Sequence, residues 1–128
     1  MVALPDGTTL TAGRISNEIL ILRPGPKLAY ATDLADTIQN RARLQALAEG
    51  AHTFFCEAHF CEADTGQGMK TGHLTTRACG EIAAAAHVER LMPFHFSRRY
   101  EEDPARIYEE VGKRCSRTVI PWRIRRQS

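Results

Sequence analysis

A chain of 128 residues suits one domain, long enough to bury roughly two-thirds of the surface its unfolded form exposes. A hydrophobic share of 43% and a charged share of 25% are ordinary for a soluble globular protein, and no apolar run reaches the ~20 residues of a membrane-spanning helix. The net charge of +2 is too small by itself to imply a nucleic-acid partner.

The start, Met1-Val2-Ala3-Leu4-Pro5-Asp6-Gly7, has neither the basic flank nor the apolar core of a secretory signal, so a cytoplasmic location is expected. Within it, Leu4-Pro5-Asp6-Gly7 reads as a turn between short extended pieces. Ile19-Leu20-Ile21-Leu22 is a β-branched-rich strand candidate closed by Arg23-Pro24-Gly25-Pro26, which no helix crosses. Leu28 to Thr32 reads as a buried strand delivering Asp33. Leu44, Leu47 and Ala48 form a helical stripe that Gly50 ends. Thr53-Phe54-Phe55-Cys56 is a further strand, and it delivers Glu57. Residues 63–71 hold two glycines and no periodicity, which predicts a loop.

After Gly72-His73, Thr75 or Thr76 caps the clearest helix, with Ala78, Cys79, Ile82, Ala83 and Ala86 on one face. Val88 to Met92 predicts a strand delivering His95. Asp103-Pro104 opens a helix striped by Ile107, Val111 and Cys115, and a final strand is expected over Val119 to Trp122. This alternation predicts an α/β layer with helices packed on a sheet.

Cys56, Cys61, Cys79 and Cys115 contain no Cys-x-x-Cys pair and read as reduced thiols, Cys79 and Cys115 in the core. Cys56, His59 and Cys61 match no common zinc module, and on a strand Cys56 and His59 would face opposite sides. For His59 a packing or surface role is expected ahead of one lining the site, and no chemistry is expected for His52 or His87. Arg98-Arg99, Lys113-Arg114, Arg117, Arg123 and Arg125-Arg126 gather positive charge in the last third. That charge suits a phosphate backbone and equally a solvated basic terminus.

Asp33, Glu57 and His95 each follow an apolar strand, and the carboxyl ends of strands are where α/β sheets gather ligands. Carboxylates and imidazoles there suit a borderline metal such as zinc, or acid–base chemistry. Taken singly, each residue has an ordinary structural explanation.

Together the segments resemble the second half of a ribonuclease Z-like hydrolase of the metallo-β-lactamase fold. Thr71-Gly72-His73-Leu74-Thr75 resembles the family's Thr-Gly-His-Ser-Thr. Phe94-His95-Phe96-Ser97-Arg98-Arg99-Tyr100 resembles His-Phe-Ser-x-Arg-Tyr and is the most specific of the matches. Tyr30-Ala31-Thr32-Asp33 is similar to the strand with the metal-bridging aspartate, with Thr32 and Leu34 flanking in place of the usual glycine and threonine. Cys56-Glu57-Ala58-His59 is similar to His-Glu-Ala-Thr with its first and last residues changed.

The resemblance spans roughly Ala29 to Glu110. It implies an α/β fold that is a partial metallo-β-lactamase-type αββα layer, its carboxyl-terminal half. The chain is expected to be a single unit, with a lead-in over 1–26, a matching region over 27–115 and a basic tail over 116–128.

By the same resemblance Asp33 and His95 would be metal ligands, Asp33 bridging two zinc ions. Glu57 and His73 would form a catalytic dyad, and Ser97, Arg98 and Arg99 would contact substrate phosphates. The implied activity is phosphodiester cleavage in 3′ processing of precursor tRNA. The family's main metal motif, His-x-His-x-Asp-His, does not occur among the five histidines His52, His59, His73, His87 and His95.

The residues therefore resemble an incomplete half-site. The alternatives are a non-catalytic truncated or split-chain relative needing a partner half, and a related metallo-hydrolase acting on a small ester or cyclic phosphodiester. A half-sandwich would leave one apolar sheet face bare, so association with the missing amino-terminal half or as a homodimer is expected, and no membrane partner.

Overall fold

The computed structural model describes Val2–Ala3, Thr9–Ala12, Leu20–Arg23 and residues 26–124. The Leu4-Pro5-Asp6-Gly7 turn, Ile19, Pro24-Gly25 and the Arg125-Arg126 end of the basic tail lie outside the described residues. Six strands form one mixed sheet in sequential order: β1 (Val2–Ala3), β2 (Thr9–Ala12), β3 (Leu20–Arg23), β4 (Leu28–Ala31), β5 (Thr53–Glu57) and β6 (Leu91–Phe94). β1 to β4 pair antiparallel, whereas β4, β5 and β6 run parallel with Ala31 opposite Cys56 and Glu57 opposite Phe94.

Helices supply the crossovers that parallel pairing requires. α1 (Ile38–Ala48) joins β4 to β5, with Thr37 as its N-cap accepting from the Asn40 amide and Gly50 just past its end at φ +66°. α2 (Thr65–Thr71) and α3 (Thr76–Ala85) join β5 to β6, and Thr75 caps α3 by accepting from the Ala78 amide at 3.1 Å. α4 (Pro104–Arg114) then packs on α3, and a short α5 (Pro121–Ile124) closes the described chain.

One sheet face is covered. Ala29, Ala31, Phe54, Cys56 and Leu91 are buried with Leu44 and Ala48 of α1, Cys79 and Ile82 of α3, and Ile107 and Val111 of α4. All four cysteines are free and buried, Cys79 and Cys115 as the sequence predicts and Cys56 and Cys61 in addition. Burial alternates along β4 and β6, and the residues in between, Tyr30, Phe55, Met92 and Phe94, stay partly exposed. Tyr30 meets Phe94 at 4.9 Å and Phe55 at 6.4 Å between ring centroids, an aromatic row on the face that no helix among the described residues covers.

Three segments depart from expectation. Residues 63–71 are helical rather than a loop: a 3-10 turn, Glu62–Asp64, runs directly into α2. Its glycines lower intrinsic helicity, but a Cβ on Gly68 would sit 3.0 Å from the His73 carbonyl oxygen, so this glycine lets α2 lie against the His73 segment. The strand before His95 begins at Leu91 and continues through Pro93; β6 lies at the end of the strand order, where a missing N–H is tolerated. Val119 to Trp122 is not a strand. Only Thr118 bridges to Leu91, and Pro121 opens α5, where its absent N–H costs nothing.

α3 and α4 approach closely at Gly80, where a Cβ would meet the Arg114 Cβ at 2.4 Å and the Val111 carbonyl oxygen at 3.0 Å. In an open helix Gly→Ala gains about 1 kcal/mol. Here overpacking, typically about 1–3 kcal/mol, opposes that gain because both contacts are rigid. We expect Gly80→Ala to lower stability by about 1 kcal/mol in urea unfolding; a raised midpoint would show that α4 is free to shift.

No helix among the described residues is long and apolar enough to cross a membrane.

Candidate metal and acid–base centre

The parallel strands deliver their following residues to one edge of the sheet. Asp33 and His95 lie just beyond β4 and β6, both in the left-handed region (φ 56° and 58°). That backbone costs energy for a non-glycine residue, and such strain gathers at functional sites. Glu57 ends β5 between them and is fully buried.

Burying a carboxylate requires compensation, and Glu57 has it. Its Oε2 accepts from the Leu74 amide at 2.9 Å. Its Oε1 accepts from the Asp33 amide at 3.2 Å and the Thr32 hydroxyl at 3.4 Å. The same oxygen lies 3.1 Å from His73 Nδ1 and 2.6 Å from His95 Nδ1. One carboxylate thus orients two imidazoles, each with Nδ1 toward Glu57. An imidazole donating from Nδ1 keeps its Nε2 lone pair, the arrangement found behind metal-bound histidines.

His59, expected to be peripheral, belongs to this cluster. Its Nδ1 lies 2.7 Å from the His95 carbonyl oxygen, and its ring stacks on His73 at 4.1 Å between centroids. Glu57, His59, His73 and His95 each offer a ligand atom within 4.8 Å of the others, a group able to hold a metal ion. Burial lowers the His59 pKa below the ordinary imidazole value, which favours its neutral form. The only sequence cue was a histidine two residues beyond Glu57. The expectation that Cys56 and His59 diverge holds, since Cys56 is buried in the core.

The other predicted residues are less tightly gathered. Asp33 is half exposed, its Oδ1 3.7 Å from His73 Nδ1, and it lies outside the four-residue group. Ser97 accepts from the Arg99 amide, and its own amide donates to the His59 carbonyl at 2.9 Å, tying the His95 segment to that of His59. Arg99 is drawn back to Asp64 at 3.1 Å and lies over the Phe60 ring, whereas Arg98 is exposed and lines a cavity of about 300 Å³ with Phe96, Ser97 and Tyr100. Tyr100 holds the segment in place, accepting from the Cys61 amide and donating to Asp64; burial and that carboxylate raise its pKa.

Comparisons with known proteins bear on the fold and on the sequence likeness. No protein-family profile matches the chain. A ribonuclease Z of Salinibacter ruber is 36% identical over 94% of this chain and 33% of its own length. That of Deinococcus radiodurans is 34% identical over 75% of the chain and 29% of its length, and that of Archaeoglobus fulgidus 30% over 89% and 35%. The chain therefore spans about a third of the length of these relatives. Among solved structures, the metallo-β-lactamase fold protein YhfI of Bacillus subtilis superposes with a TM-score of 0.66 at 19% identity, over 79% of this chain and 39% of that one. The short form of human tRNase Z gives 0.56 at 22% identity, over 65% and 32%.

The mixed sheet with its packed helices is thus a partial metallo-β-lactamase fold. Within that class, the chain resembles ribonuclease Z in sequence over about a third of that enzyme's length.

Proposed function

We propose that this chain supplies part of the active site of a metal-dependent phosphodiesterase of ribonuclease Z type, which cleaves precursor tRNA at its 3′ end. The observation that carries the reading is the buried Glu57 carboxylate shared by His73 Nδ1 and His95 Nδ1.

Carboxylate and imidazole donors suit zinc. In this reading Asp33 and His95 hold it, the strained backbone fixing each side chain at the sheet edge. Two bound ions would place Lewis-acid charge at the scissile phosphate and ease deprotonation of the attacking water. Glu57 holds the His73 ring by its Nδ1, stabilises the imidazolium, and so lets Nε2–H protonate the leaving oxygen. Arg98 and Ser97, beside the adjoining cavity, are suited to the phosphates flanking the cleavage point, with Arg99 secured to Asp64 behind them. Such a substrate implies a cytoplasmic protein.

Asp33 and His95 alone are too few, since catalytic zinc usually takes three protein ligands. The remaining ligands would come from polypeptide carrying His-x-His-x-Asp-His, docked on the bare aromatic face of Tyr30, Phe55 and Phe94. A second copy of this chain would cover that face but bring no such motif.

The test is reconstitution. Mixed with a polypeptide bearing the motif and zinc, the chain should cut precursor tRNA at the 3′ boundary and lose activity to a chelator. Binding without cleavage would favour a non-catalytic relative. Cleavage confined to a cyclic phosphodiester or small ester would favour an altered substrate, a change that His59 inside the cluster would fit.

A further inference from the structure

We infer that His59 is a positioning residue: its ring clamps the His95 backbone and braces the His73 ring, so that one Glu57 oxygen orients both imidazoles. For its effect on turnover the inference rests on the phosphodiesterase reading, whereas the clamp itself is tested on this chain alone. The family segment that Cys56-Glu57-Ala58-His59 resembles ends in threonine, so nothing in the resemblance gives position 59 this role.

Residue 59 stands where the chain leaving β5 meets the two segments that carry the imidazoles. Its amide donates to the Leu74 carbonyl, beside His73, at 2.9 Å. Its carbonyl accepts from the Ser97 amide, two residues beyond His95, also at 2.9 Å. Those two bonds belong to the backbone. The side chain adds a third, because Nδ1 lies 2.7 Å from the His95 carbonyl oxygen. A carbonyl can only accept, so Nδ1 is the donor.

The His95 carbonyl needs such a partner. Up to Phe94 the β5–β6 ladder runs on, with the Ala58 amide donating to the Phe94 carbonyl at 3.0 Å. At His95 the backbone turns left-handed, with φ 58°, and leaves the ladder. A non-glycine residue stays in that region only where its surroundings fix it. The His59 imidazole takes up the carbonyl at the bend, in place of a ladder bond. The bend is also what presents the His95 ring at the sheet edge.

The same ring packs against both neighbours. It stacks on His73 at 4.1 Å and 24°, and it meets His95 at 4.8 Å between centroids. The His73 and His95 centroids are 5.6 Å apart, with Nδ1 atoms 3.1 and 2.6 Å from Glu57 Oε1. One oxygen serves two rings only while that separation is kept. The hydrogen bond fixes the backbone under one ring, and the stack limits the swing of the other.

The experiment compares the purified full chain with His59→Phe and His59→Asn, reading the ring nitrogens of the histidines by NMR at a pH where they are neutral. Phenylalanine keeps a ring beside His73 but donates nothing; asparagine carries an amide donor at the reach of Nδ1. In the wild type His95 should hold its proton on Nδ1, toward Glu57. His59→Phe should lower the ratio of that tautomer to the other about 5-fold, of the order one hydrogen bond carries. His59→Asn should restore it, and circular dichroism should stay unchanged in both. In the reconstituted enzyme His59→Phe should lower kcat about 10–100-fold, the usual loss when a group behind a metal ligand is removed, and His59→Asn should stay near wild type. Equal tautomer ratios in wild type and His59→Phe, or an asparagine variant that behaves like phenylalanine, would overturn the inference. A tautomer shift in a chain that no partner renders active would sink the phosphodiesterase reading and leave the clamp standing, so the two fail separately.

Discussion

Replacing Glu57 with alanine should cost this chain about 3–5 kcal/mol of stability, the range seen when one partner of a buried charged network is removed. The size follows from what the carboxylate satisfies. With it gone, the buried Leu74 amide and the Asp33 amide lose their acceptor, and the imidazoles of His73 and His95 lose the group that orients them. Each orphaned buried donor alone costs about 1–3 kcal/mol. Glu57→Gln should be milder, because one acceptor oxygen remains. It cannot be neutral, since its NH2 group must face either the Leu74 amide or the crowded Oε1 position. Urea denaturation of the two variants would measure this. A loss below 1 kcal/mol for Glu57→Ala would mean that water replaces the carboxylate and that the site is far more open than its burial implies.

The second large effect is catalytic. In the reconstituted enzyme, His73→Gln should reduce turnover by about 10²–10⁴, the usual contribution of general acid–base catalysis. KM and zinc content should stay nearly constant, because in the two-metal state His73 orients and transfers a proton while Asp33 and His95 hold metal. The expected pattern is a fall in kcat and kcat/KM together. Zinc loss in parallel with activity would instead make His73 a metal ligand.

The sequence made the frame of the site legible because local signals reported it. Three apolar runs, each followed by a polar residue, become three adjacent parallel strands whose ends carry Asp33, Glu57 and His95. The Thr75 cap and the stripe of α3 were equally plain, since capping and periodicity act over a few residues. The parts that escaped depend on distant contacts. α2 has no apolar stripe and two glycines, and it forms where Gly68 lies against the His73 segment. His59 looks peripheral in the sequence. It enters the cluster only because the chain beyond β5 meets the chain beyond β6, with Ser97 donating to the His59 carbonyl and the His59 ring donating to that of His95. No spacing within residues 56–61 encodes those two hydrogen bonds. The sharing of one carboxylate by two imidazoles is hidden for the same reason, since His73 and His95 come from segments 22 residues apart.

The bare aromatic row on β4, β5 and β6 was foreseeable from the fold but not from the residues. Tyr30, Phe55 and Phe94 alternate with core positions, and a sequence with both strand faces apolar gives no sign of which face the helices will cover.

The most direct test is the zinc content of the chain assembled with a polypeptide carrying His-x-His-x-Asp-His, measured by mass spectrometry after dialysis against metal-free buffer. Two equivalents per assembly, falling when either Asp33 or His95 is replaced by alanine, are the predicted result. An assembly that forms yet retains no zinc, or whose zinc is unaffected by both substitutions, would contradict the assignment of Asp33 and His95 as metal ligands of a phosphodiesterase.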